Sequence, residues 1–388
     1  MRIGIITGEY PPMEGGVGAY THILAQNFVE QGHDVFVLSN SNARESHPKI
    51  QLDNSVRRWN PFSLLKIKRW VKANRLDVVN IQFETAAYQM SAFVHFIPDS
   101  LNVPVITTFH DLYVPYLFPK AGKLRNKIMI HLAKASDGVI GTNSEDMLQL
   151  KRLPPAKLIP IGSNILTQLP DDFKTDALKQ KLGIADDNFL VGHFGFINRS
   201  KGVDTLLEDV ASIRNYYDYP IKVLMIGGRV GASDPTNAEY VQTIDQKIKD
   251  LNLSDHVIWT GFVSDQEVSG YLEICDIITL PYRDGASYRR GSLMAAIHHG
   301  CAIVTTEPRV DIPLFNDGDN MLLCQSHVIN EQAPAFTHIT PQILKLYRNS
   351  ELRKKIASGA KRLSQHFDWS KITDDYINFF EEIIGDSD

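Results

Sequence analysis

The sequence predicts an α/β protein built from two doubly wound domains, each with a parallel sheet covered by helices. Short apolar runs alternate with amphipathic helical segments along the chain, and the alternation restarts near residue 188. Apolar runs without polar alternation are typical of strands that are buried on both faces of a parallel sheet. The length of 388 residues also exceeds what one hydrophobic core usually holds.

The predicted strands fall into two sets along the chain. The first set comprises RIGIIT, DVFVLS, DVVNIQ, VPVITTFH, DGVIGT and KLIPIG. The second set comprises NFLVGHFGF, IKVLMIGG, HVIWTGFV, DIITLPY, CAIVTT and NMLLC. We therefore expect a first domain over residues 1–165, a second over residues 166–368, and a final two-faced helix at about 369–388 that docks on another part of the chain.

Composition argues against several classes of function. The hydrophobic content of 43% and the charged content of 22% are those of a folded protein, and the net charge of -5 argues against a general nucleic-acid binder. Cys275, Cys301 and Cys324 stand in apolar contexts, which predict small buried side chains rather than a disulfide framework or a metal site. No apolar segment is long enough to span a membrane, and we expect a cytoplasmic protein.

Ligands of doubly wound sheets bind at the carboxyl ends of the strands, so informative residues should directly follow strands. The stretch GEYPPMEGGVGAY ends the first strand and places Gly15, Gly16 and Gly18 before a helix that we expect to begin near Ala19. Glycines at this point allow backbone N–H groups to approach a phosphate or a sugar. A flexible surface loop is the alternative interpretation.

The second stretch, VITTFHDLY, places Thr108, His110 and Asp111 at the end of an apolar strand. A histidine there can donate to a substrate oxygen or a phosphate, and a neighbouring aspartate can orient the imidazole. A structural histidine is the alternative.

The third stretch, GHFGFINRSKGVDTLL, runs from a strand into Gly195 and then into Arg199, Lys201 and Gly202 at a helix start. An ammonium beside the free N–H groups and the positive dipole of a helix N-terminus makes a strong anion site. A solvated lysine is the alternative, and the flanking glycines favour the anion site.

The fourth stretch, PYRDGASYRRGSLMAAIHHG, feeds a helix that we expect to start near Ser292, after a tight turn at Gly285. Arg289 and Arg290 stand at the positive end of that helix dipole, where carboxylates are normally favoured, so we infer a missing anion between them. We interpret the loop as a diphosphate site, with two solvent-exposed arginines as the alternative.

Taken in order, these stretches resemble the retaining glycosyltransferases of family 4, the glycosyl transferases group 1, which have the GT-B fold of two Rossmann-like domains facing across a cleft. The matching segments run from about residue 1 to about residue 380 and are EYPPMEGGVGAYTHILAQNFVEQGHDVFV, TFHD, GFINRSKGVDTLL, HVIWTGFVSDQEVSGYLEICDIITLPY, AAIHHGCAIVTT and NDGDNMLL. The resemblance implies sugar transfer from a nucleotide-sugar donor, such as a UDP- or GDP-sugar, with retained anomeric configuration and without a required metal or other cofactor.

The resemblance, together with the charge argument above, assigns roles to particular residues. His110 would lie beside the donor sugar, and Lys201 and Arg290 would stabilise the leaving diphosphate as the other catalytic groups. The donor would contact Gly15, Gly16, Gly195, Arg199, Lys201, Asp284, Gly285, Ala286, Ser287, Arg289, Arg290, Gly291 and Ser292. Glu84 and Asp111 would lie on the acceptor side, and the final helix would return to the first domain.

The sequence departs from the family pattern at two places. Family members usually carry two glutamates eight residues apart in the fourth stretch, and the aligned positions here are Ser287 and Ala295. The usual arginine after the glycine of the third stretch is Phe196, so Arg199 or the paired arginines would supply that charge. The alternatives to a transferase are therefore a nucleotide-sugar-binding protein with weak or no turnover, and a nucleotide-sugar epimerase of similar shape.

Charge patterning gives the one indication of the acceptor. Residues between Asn54 and Leu76 include seven Lys or Arg and no acid, and residues 116–136 add five more without an acid. Basic amphipathic segments favour a peripheral contact with anionic lipid, which fits a saccharide or lipid-linked acceptor and cell-envelope synthesis at the inner face of the membrane. Ordinary solvated helix faces are the alternative.

Overall fold

The computed structural model describes residues 1–13, 15–45, 47–112, 124–229, 236–325 and 339–385. The chain divides into two compact units, with Met1–Asn164 and Phe367–Asp388 in unit 1 and Ile165–His366 in unit 2. Each unit contains one parallel sheet whose strands alternate with helices along the chain. This architecture confirms the predicted α/β class with two doubly wound domains.

The strands of the described residues are β1 (Arg2–Thr7), β2 (Asp34–Asn40), β3 (Ile50–Val56), β4 (Val78–Phe83), β5 (Val105–Phe109), β6 (Gly138–Gly141), β7 (Ala156–Leu158), β8 (Phe189–Phe194), β9 (Ile221–Ile226), β10 (Val257–Trp259), β11 (Ile277–Leu280), β12 (Ile303–Thr306) and β13 (Leu322–Cys324). The helices are α1 (Gly16–Glu30), α2 (Pro61–Asn74), α3 (Leu124–Ala135), α4 (Ser144–Leu150), α5 (Thr175–Lys181), α6 (Val203–Tyr217), α7 (Thr236–Asp250), α8 (Asp265–Ile274), α9 (Gly291–His298), α10 (Thr340–Arg348), α11 (Ser350–Ser364) and α12 (Trp369–Gly385).

The sheet of unit 1 has the strand order β3-β2-β1-β4-β5-β6-β7. Ile3, Ile5 and Ile6 of the central strand β1 are fully buried, as expected for a strand covered on both faces. β1 pairs in parallel with β4, and Thr7 lies beside Gln82 at the carboxyl end of the pair. The residues that directly follow these parallel strands therefore emerge at one edge of the sheet.

The last helix, α12, completes the core of unit 1. The Tyr376 hydroxyl lies 3.1 Å from the hydroxyls of both Tyr20 and Thr108, and all three side chains are buried. The ring of Phe380 packs 5.8 Å from that of Phe28 on α1, measured between centroids. Trp369 donates its indole N–H to Ser163 O at 2.8 Å, which anchors the start of the helix. The apolar face of the helix is therefore buried against unit 1.

The sheet of unit 2 has the strand order β10-β9-β8-β11-β12-β13. β8 lies between β9 and β11 and pairs in parallel with both of them. The loops that follow β8 and β11 are residues 195–202 and 281–290, and they start from neighbouring strand ends. The topology of the sheet therefore brings the third and fourth sequence stretches side by side.

Several element boundaries differ from the expectation. β3 was missed because it is an edge strand whose polar and half-exposed residues, IQLDNSV, do not form an apolar run. The strand expected at KLIPIG is shortened to Ala156–Leu158. α1 begins at Gly16 and not near Ala19, so Gly16 and Gly18 lie in the first turn of the helix and Gly15 is its N-cap. No helix within the described ranges is long and apolar enough to cross a membrane.

The packing of α12 predicts the effect of a core truncation. Phe380→Ala is expected to lower the free energy of unfolding by about 3–5 kcal/mol, because a fully buried phenyl ring leaves a cavity in the core of unit 1. Urea denaturation followed by circular dichroism measures the change. Asn378→Ala, at an exposed position of the same helix, is the matched control and should change the midpoint little. An equal effect of the two substitutions would contradict the packing role of α12.

Candidate active site

Gly195 directly follows β8, at the edge of the unit 2 sheet where Lys201, Arg289 and Arg290 also lie. Its φ is +111°, a conformation that favours glycine. A Cβ atom at this position would also collide with Lys201 Nζ, so the ammonium group lies directly against the Gly195 backbone. Glycine is therefore required here both by the backbone conformation and by the lysine.

Lys201 is held by a short 3-10 turn, Arg199–Lys201, and Gly202 follows as the N-cap of α6. Burial, together with the charge of Arg290, lowers the pKa of Lys201 to about 7. An anion beside the ammonium would offset both effects, since an opposite charge favours the protonated form. The surroundings of Lys201 are therefore unfavourable for a cation unless negative charge binds.

The paired arginines of the fourth stretch have a counter-ion of their own. Arg290 Nη2 forms an ion pair with Asp284 Oδ1, and Arg289 Nη2 lies 3.4 Å from Asp284 Oδ2. The inference that the two arginines lack an anion is therefore wrong, because Asp284 provides one from the preceding turn. Arg289 and Arg290 still share one carboxylate, and Lys201 adds a further basic group beside Arg290, so this edge carries excess positive charge.

The Arg290 guanidinium is largely buried and can still donate a further hydrogen bond. Its side chain is 15% exposed, and its guanidinium lies 4.8 Å above the centroid of the Tyr282 ring. Nη1 donates to Ser200 Oγ at 3.4 Å. The Nε–H group is buried and has no hydrogen-bond partner in the part of the chain that the structure describes. An unpaired buried donor costs free energy, so a ligand oxygen that accepts from it would stabilise the site.

The remaining donor-side residues lie around the start of α9. Arg290 is the N-cap of this helix and Gly291 its first residue, and no side chain caps the first turn, so N–H groups there can donate to an anion. The Ser292 hydroxyl is already paired with Tyr282 at 2.7 Å. Gly285 adopts a φ of +85° in the turn, and Arg199 lies 5.7 Å above the Tyr240 ring.

Buried small residues occupy the positions where the family usually has glutamates. Ser287 is 4% exposed and Ala295 is fully buried within α9, and the neighbouring Ala286 is 2% exposed. No carboxylate stands at either aligned position, and Asp284 is the acidic side chain that the structure places in this loop. The nucleotide-sugar donor that the resemblance implies would therefore have to be recognised by other groups.

On unit 1, His110 follows β5 and is held by Gln82 rather than standing free. Its Nε2 lies 2.7 Å from Gln82 Oε1. Because the Gln82 amide nitrogen donates to Asn80 Oδ1, the Gln82 oxygen is the acceptor and His110 Nε2 carries the proton. Burial lowers the pKa of His110 to about 3, so the ring is neutral at physiological pH. Asp111, the third residue predicted from this stretch, directly follows His110 at the same edge.

Glu9, two residues beyond β1, is a site residue that the sequence reasoning missed. A Cβ atom on Gly15 would collide with the Glu9 carboxyl group, so the glycine turn lies directly against this side chain. Burial, together with the charge of Glu84, raises the pKa of Glu9 to about 7. Glu84 in turn accepts the N–H of Ala87 at 2.8 Å. Since β1 and β4 are neighbours, the two glutamates lie at the same edge of the sheet.

The sequence feature that could have indicated Glu9 is its position two residues after the first strand, in the same stretch as the glycines. The glycines drew attention to backbone N–H groups, although Gly15 makes room for a carboxyl group. Gly16 has open space around the position of a Cβ atom, so no close contact explains a glycine there.

Within the described residues, the cysteines and the acidic side chains form no disulfide and no metal site. Burial raises the pKa of Cys301 and of Cys324 to about 12, and all three cysteines are free thiols. No group of three or more His, Cys, Asp or Glu side chains is arranged to hold a metal ion among the residues that the structure describes.

Two Rossmann-like units, one with a cation cluster at its strand ends, form the pattern of the GT-B glycosyltransferases. The family model described as Glycosyltransferase Family 4 matches residues 14–162, and that described as Glycosyl transferases group 1 matches residues 174–363. The chain therefore belongs to the family 4 glycosyltransferases with the GT-B fold. These comparisons give no support to the predicted alternatives of a binding protein without turnover or an epimerase.

Two relatives agree with this membership, and a solved structure shares the fold. The alpha-monoglucosyldiacylglycerol synthase of Acholeplasma laidlawii is 26% identical over 393 residues, which cover 92% of this chain and 93% of the relative. The synthase of the same name from Streptococcus pneumoniae is 24% identical over 71% of this chain and 65% of its own. The structure of Anabaena HepE in complex with UDP and glucose has a TM-score of 0.75 and 17% identity, covering 98% of this chain and 100% of that one.

The environment of Lys201 predicts a pH-dependent stability. The folded-state pKa of about 7 lies below the ordinary value of 10.5, so the folded protein releases this proton first. Relative to a variant without the group, the wild type should gain stability as pH rises from about 7 to about 10.5. Lys201→Met should therefore stabilise the protein most below pH 7.

Urea denaturation at pH 6.5 and at pH 9.5 measures this effect, with Lys249→Met, at an exposed position of α7, as the control. The difference between wild type and Lys201→Met should shrink at the higher pH. A difference that is independent of pH would show that Lys201 is not held in an unfavourable environment.

Proposed function

We propose that this protein is a retaining glycosyltransferase that moves a sugar from a nucleotide-sugar donor to a lipid-linked or saccharide acceptor. The observation that carries the proposal is the cluster of Lys201, Arg289 and Arg290 beside the uncapped start of α9, with Asp284 as counter-ion. A diphosphate carries enough negative charge to pair with this cluster and to accept from the unpaired Arg290 Nε–H.

Stabilisation of the leaving group is the main task of these residues. When the bond between the anomeric carbon and the donor diphosphate breaks, negative charge builds on the diphosphate oxygens. Lys201 becomes more favourable as a cation as that charge develops, because its pKa is depressed in the free protein. We propose that these side chains and the α9 N–H groups supply the charge stabilisation without a divalent metal or other cofactor.

Retention of configuration follows from attack on the face from which the diphosphate departs. The acceptor hydroxyl oxygen forms the new bond to the anomeric carbon, and its proton passes to the departing diphosphate. The electron pair of the broken bond stays with the diphosphate oxygen. In this scheme the neutral His110 beside the sugar acts as a hydrogen-bonding group and not as a cation.

The donor and the acceptor are proposed from the relatives. HepE was solved with UDP and glucose, so a UDP-sugar is the first donor to test, with a GDP-sugar next. The two synthases are named for a product built on diacylglycerol, and this supports a lipid-linked acceptor. We place Glu9, Glu84 and Asp111 on the acceptor side, where the half-buried Glu9 carboxyl can bind an acceptor hydroxyl.

Peripheral contact with an anionic membrane at the cytoplasmic face completes the proposal. The basic segment between Asn54 and Leu76 includes the whole of α2. The second basic segment lies partly outside the described residues, since residues 113–123 are not among them, and its described remainder contains α3.

Donor turnover tests the cation cluster. Purified protein is incubated with UDP-, GDP- and ADP-sugars and an acceptor lipid, and nucleoside diphosphate release is followed. Lys201→Ala should lower turnover by orders of magnitude, because the developing charge loses its nearest ammonium. Arg290→Ala should weaken nucleoside diphosphate binding by about 1.5–3 kcal/mol, the value of a charge-assisted hydrogen bond.

Arg362→Ala is the control for these substitutions, since its side chain is 63% exposed and forms an ion pair with Asp319 at 3.4 Å. It should leave both turnover and binding unchanged. Normal turnover by Lys201→Ala, or unchanged affinity of Arg290→Ala, would remove the assignment of the cation cluster to the diphosphate.

The raised pKa of Glu9 predicts the pH dependence of acceptor use. If the ionised carboxylate accepts the acceptor hydroxyl proton in a hydrogen bond, kcat/KM for the acceptor should rise with pH through about 7. Glu9→Gln should abolish this limb of the pH profile, because the amide does not titrate. Steady-state assays from pH 5.5 to pH 9 measure it, and an identical limb in the variant would show that another group titrates.

A further inference from the structure

β4 is a fully buried strand that carries two amide side chains. All six of its residues are buried, and Asn80 and Gln82 interrupt an otherwise apolar run. Residues two apart on a strand point to the same face of the sheet, so both amides lie on one face. A buried amide is costly unless its donors and acceptors are paired, so the partners of these two amides indicate their role.

The orientation of the Asn80 amide is set by the main chain of the neighbouring strand. Its Nδ2 donates to Ile106 O and to Thr108 Oγ1, each at 3.0 Å, and both residues belong to β5. A backbone carbonyl can only accept, so the amide nitrogen must face Ile106 O. Asn80 Oδ1 then accepts from Gln82 Nε2. The first hydrogen bond therefore fixes the direction of the second.

The final helix, α12, supplies a further partner of Gln82. The Tyr376 hydroxyl forms a hydrogen bond with Gln82, and both side chains are fully buried, so water cannot replace either partner. Half a turn of the Gln82 amide would set its oxygen against Asn80 Oδ1, and two acceptors would then face each other in the core. The amide is therefore held in one orientation, with its oxygen toward His110.

This orientation gives the two ring nitrogens of His110 opposite roles. Nε2 donates to Gln82 Oε1 at 2.7 Å, so in the neutral ring Nδ1 carries a lone pair and no proton. Nδ1 has no hydrogen-bond partner among the residues that the structure describes, and the His110 side chain is partly exposed. Nδ1 is thus a free acceptor that a ligand can reach.

We propose that Gln82 is a positioning residue that sets the hydrogen-bond polarity of His110, so that the ligand group facing the ring must be a donor, namely a sugar hydroxyl. A carboxylate or phosphate oxygen would set a lone pair against that of Nδ1 and is disfavoured there. The inference rests on the proposed function in one respect, that the ligand beside His110 is the donor sugar. That sugar carries a free hydroxyl, and not a carboxylate, where it meets the ring.

The position of the ring proton can be measured without any ligand. The full chain is labelled with ¹⁵N at histidine, and long-range ¹H–¹⁵N correlation spectra distinguish a protonated ring nitrogen from one that carries a lone pair. The His110 signals are assigned by their absence from the spectrum of His110→Gln. The proposal expects a proton on Nε2 alone in the wild type. A proton on Nδ1, or an equal mixture of the two tautomers, would overturn it.

Variants of Gln82 test its positioning role in the same spectra. Gln82→Leu removes the acceptor at similar volume and should release the ring to populate both tautomers. Gln82→Glu keeps an oxygen opposite Nε2 and should restore the proton there. Thr107→Val is the matched control, since Thr107 is also buried but pairs with Ser136 at 2.8 Å. An unchanged tautomer in Gln82→Leu, or an equal change in the control, would show that Gln82 does not set the polarity.

Binding of UDP-glucose analogues measures the same polarity from the ligand side. Each glucose hydroxyl is replaced in turn by hydrogen and by fluorine, and affinities are measured by calorimetry. At the position that meets His110, the wild type should lose roughly two- to tenfold with hydrogen. It should lose more with fluorine, which cannot donate and sets an acceptor against Nδ1. A ring that presents N–H would reverse the order of hydrogen and fluorine.

The two measurements separate this inference from the proposed function. The gap between the hydrogen and fluorine analogues should close in Gln82→Leu and persist in Thr107→Val. Fluorine analogues that bind as well as the hydrogen analogues at every position would overturn the hydroxyl assignment. No binding of UDP-glucose itself would count against the proposed function for this donor, and the tautomer in the free protein would still decide the role of Gln82.

Discussion

The contact between the Lys201 ammonium and the Gly195 backbone is the constraint on which the donor half of the site depends. It places a cation at the end of a central strand, inside the fold and beside a second cation, Arg290. The protein alone offers little compensation for that charge, since Asp284 is engaged with the arginines. In the proposed function, the negative charge of the diphosphate would offset the free-energy cost of this arrangement and would make the site selective for a charged leaving group.

The pKa values of Lys201 in unit 2 and of Glu9 in unit 1 are shifted toward each other. Burial lowers the pKa of Lys201 and raises that of Glu9, and both values reach about 7. Each residue is less charged in the free protein than its type would suggest, because desolvation disfavours the charged form of acid and base alike. In the proposed function, ligand hydroxyl and phosphate groups would replace the interactions lost with water, and both residues would respond to substrate and to pH over the same range.

The fold was predictable because buried parallel strands appear in the sequence as apolar runs, and the twelve predicted runs coincide with twelve of the thirteen strands in the described residues. β3 left no such trace, since an edge strand is half exposed and reads as polar. The positions of the candidate residues His110 and Lys201 were predictable because each lies in the segment that follows a strand, β5 and β8 respectively. The pairing of Asp284 with the arginines depends on the path of a turn, and the raised pKa of Glu9 depends on burial and on Glu84, and neither can be read from spacing.

The position of α12 has a consequence for the order in which the chain becomes structured. Its aromatic residues fill the core of unit 1, but they lie beyond the whole of unit 2 in the sequence. During synthesis on a ribosome, the strands of unit 1 emerge first. Phe28 and Tyr20 then lack their contacts with α12 until that helix has been synthesised. Unit 2 is one continuous segment of the chain and can fold before α12 is synthesised. The first part of the protein to be synthesised is therefore the last to be completed, and a nascent chain exposes an apolar groove for most of its synthesis.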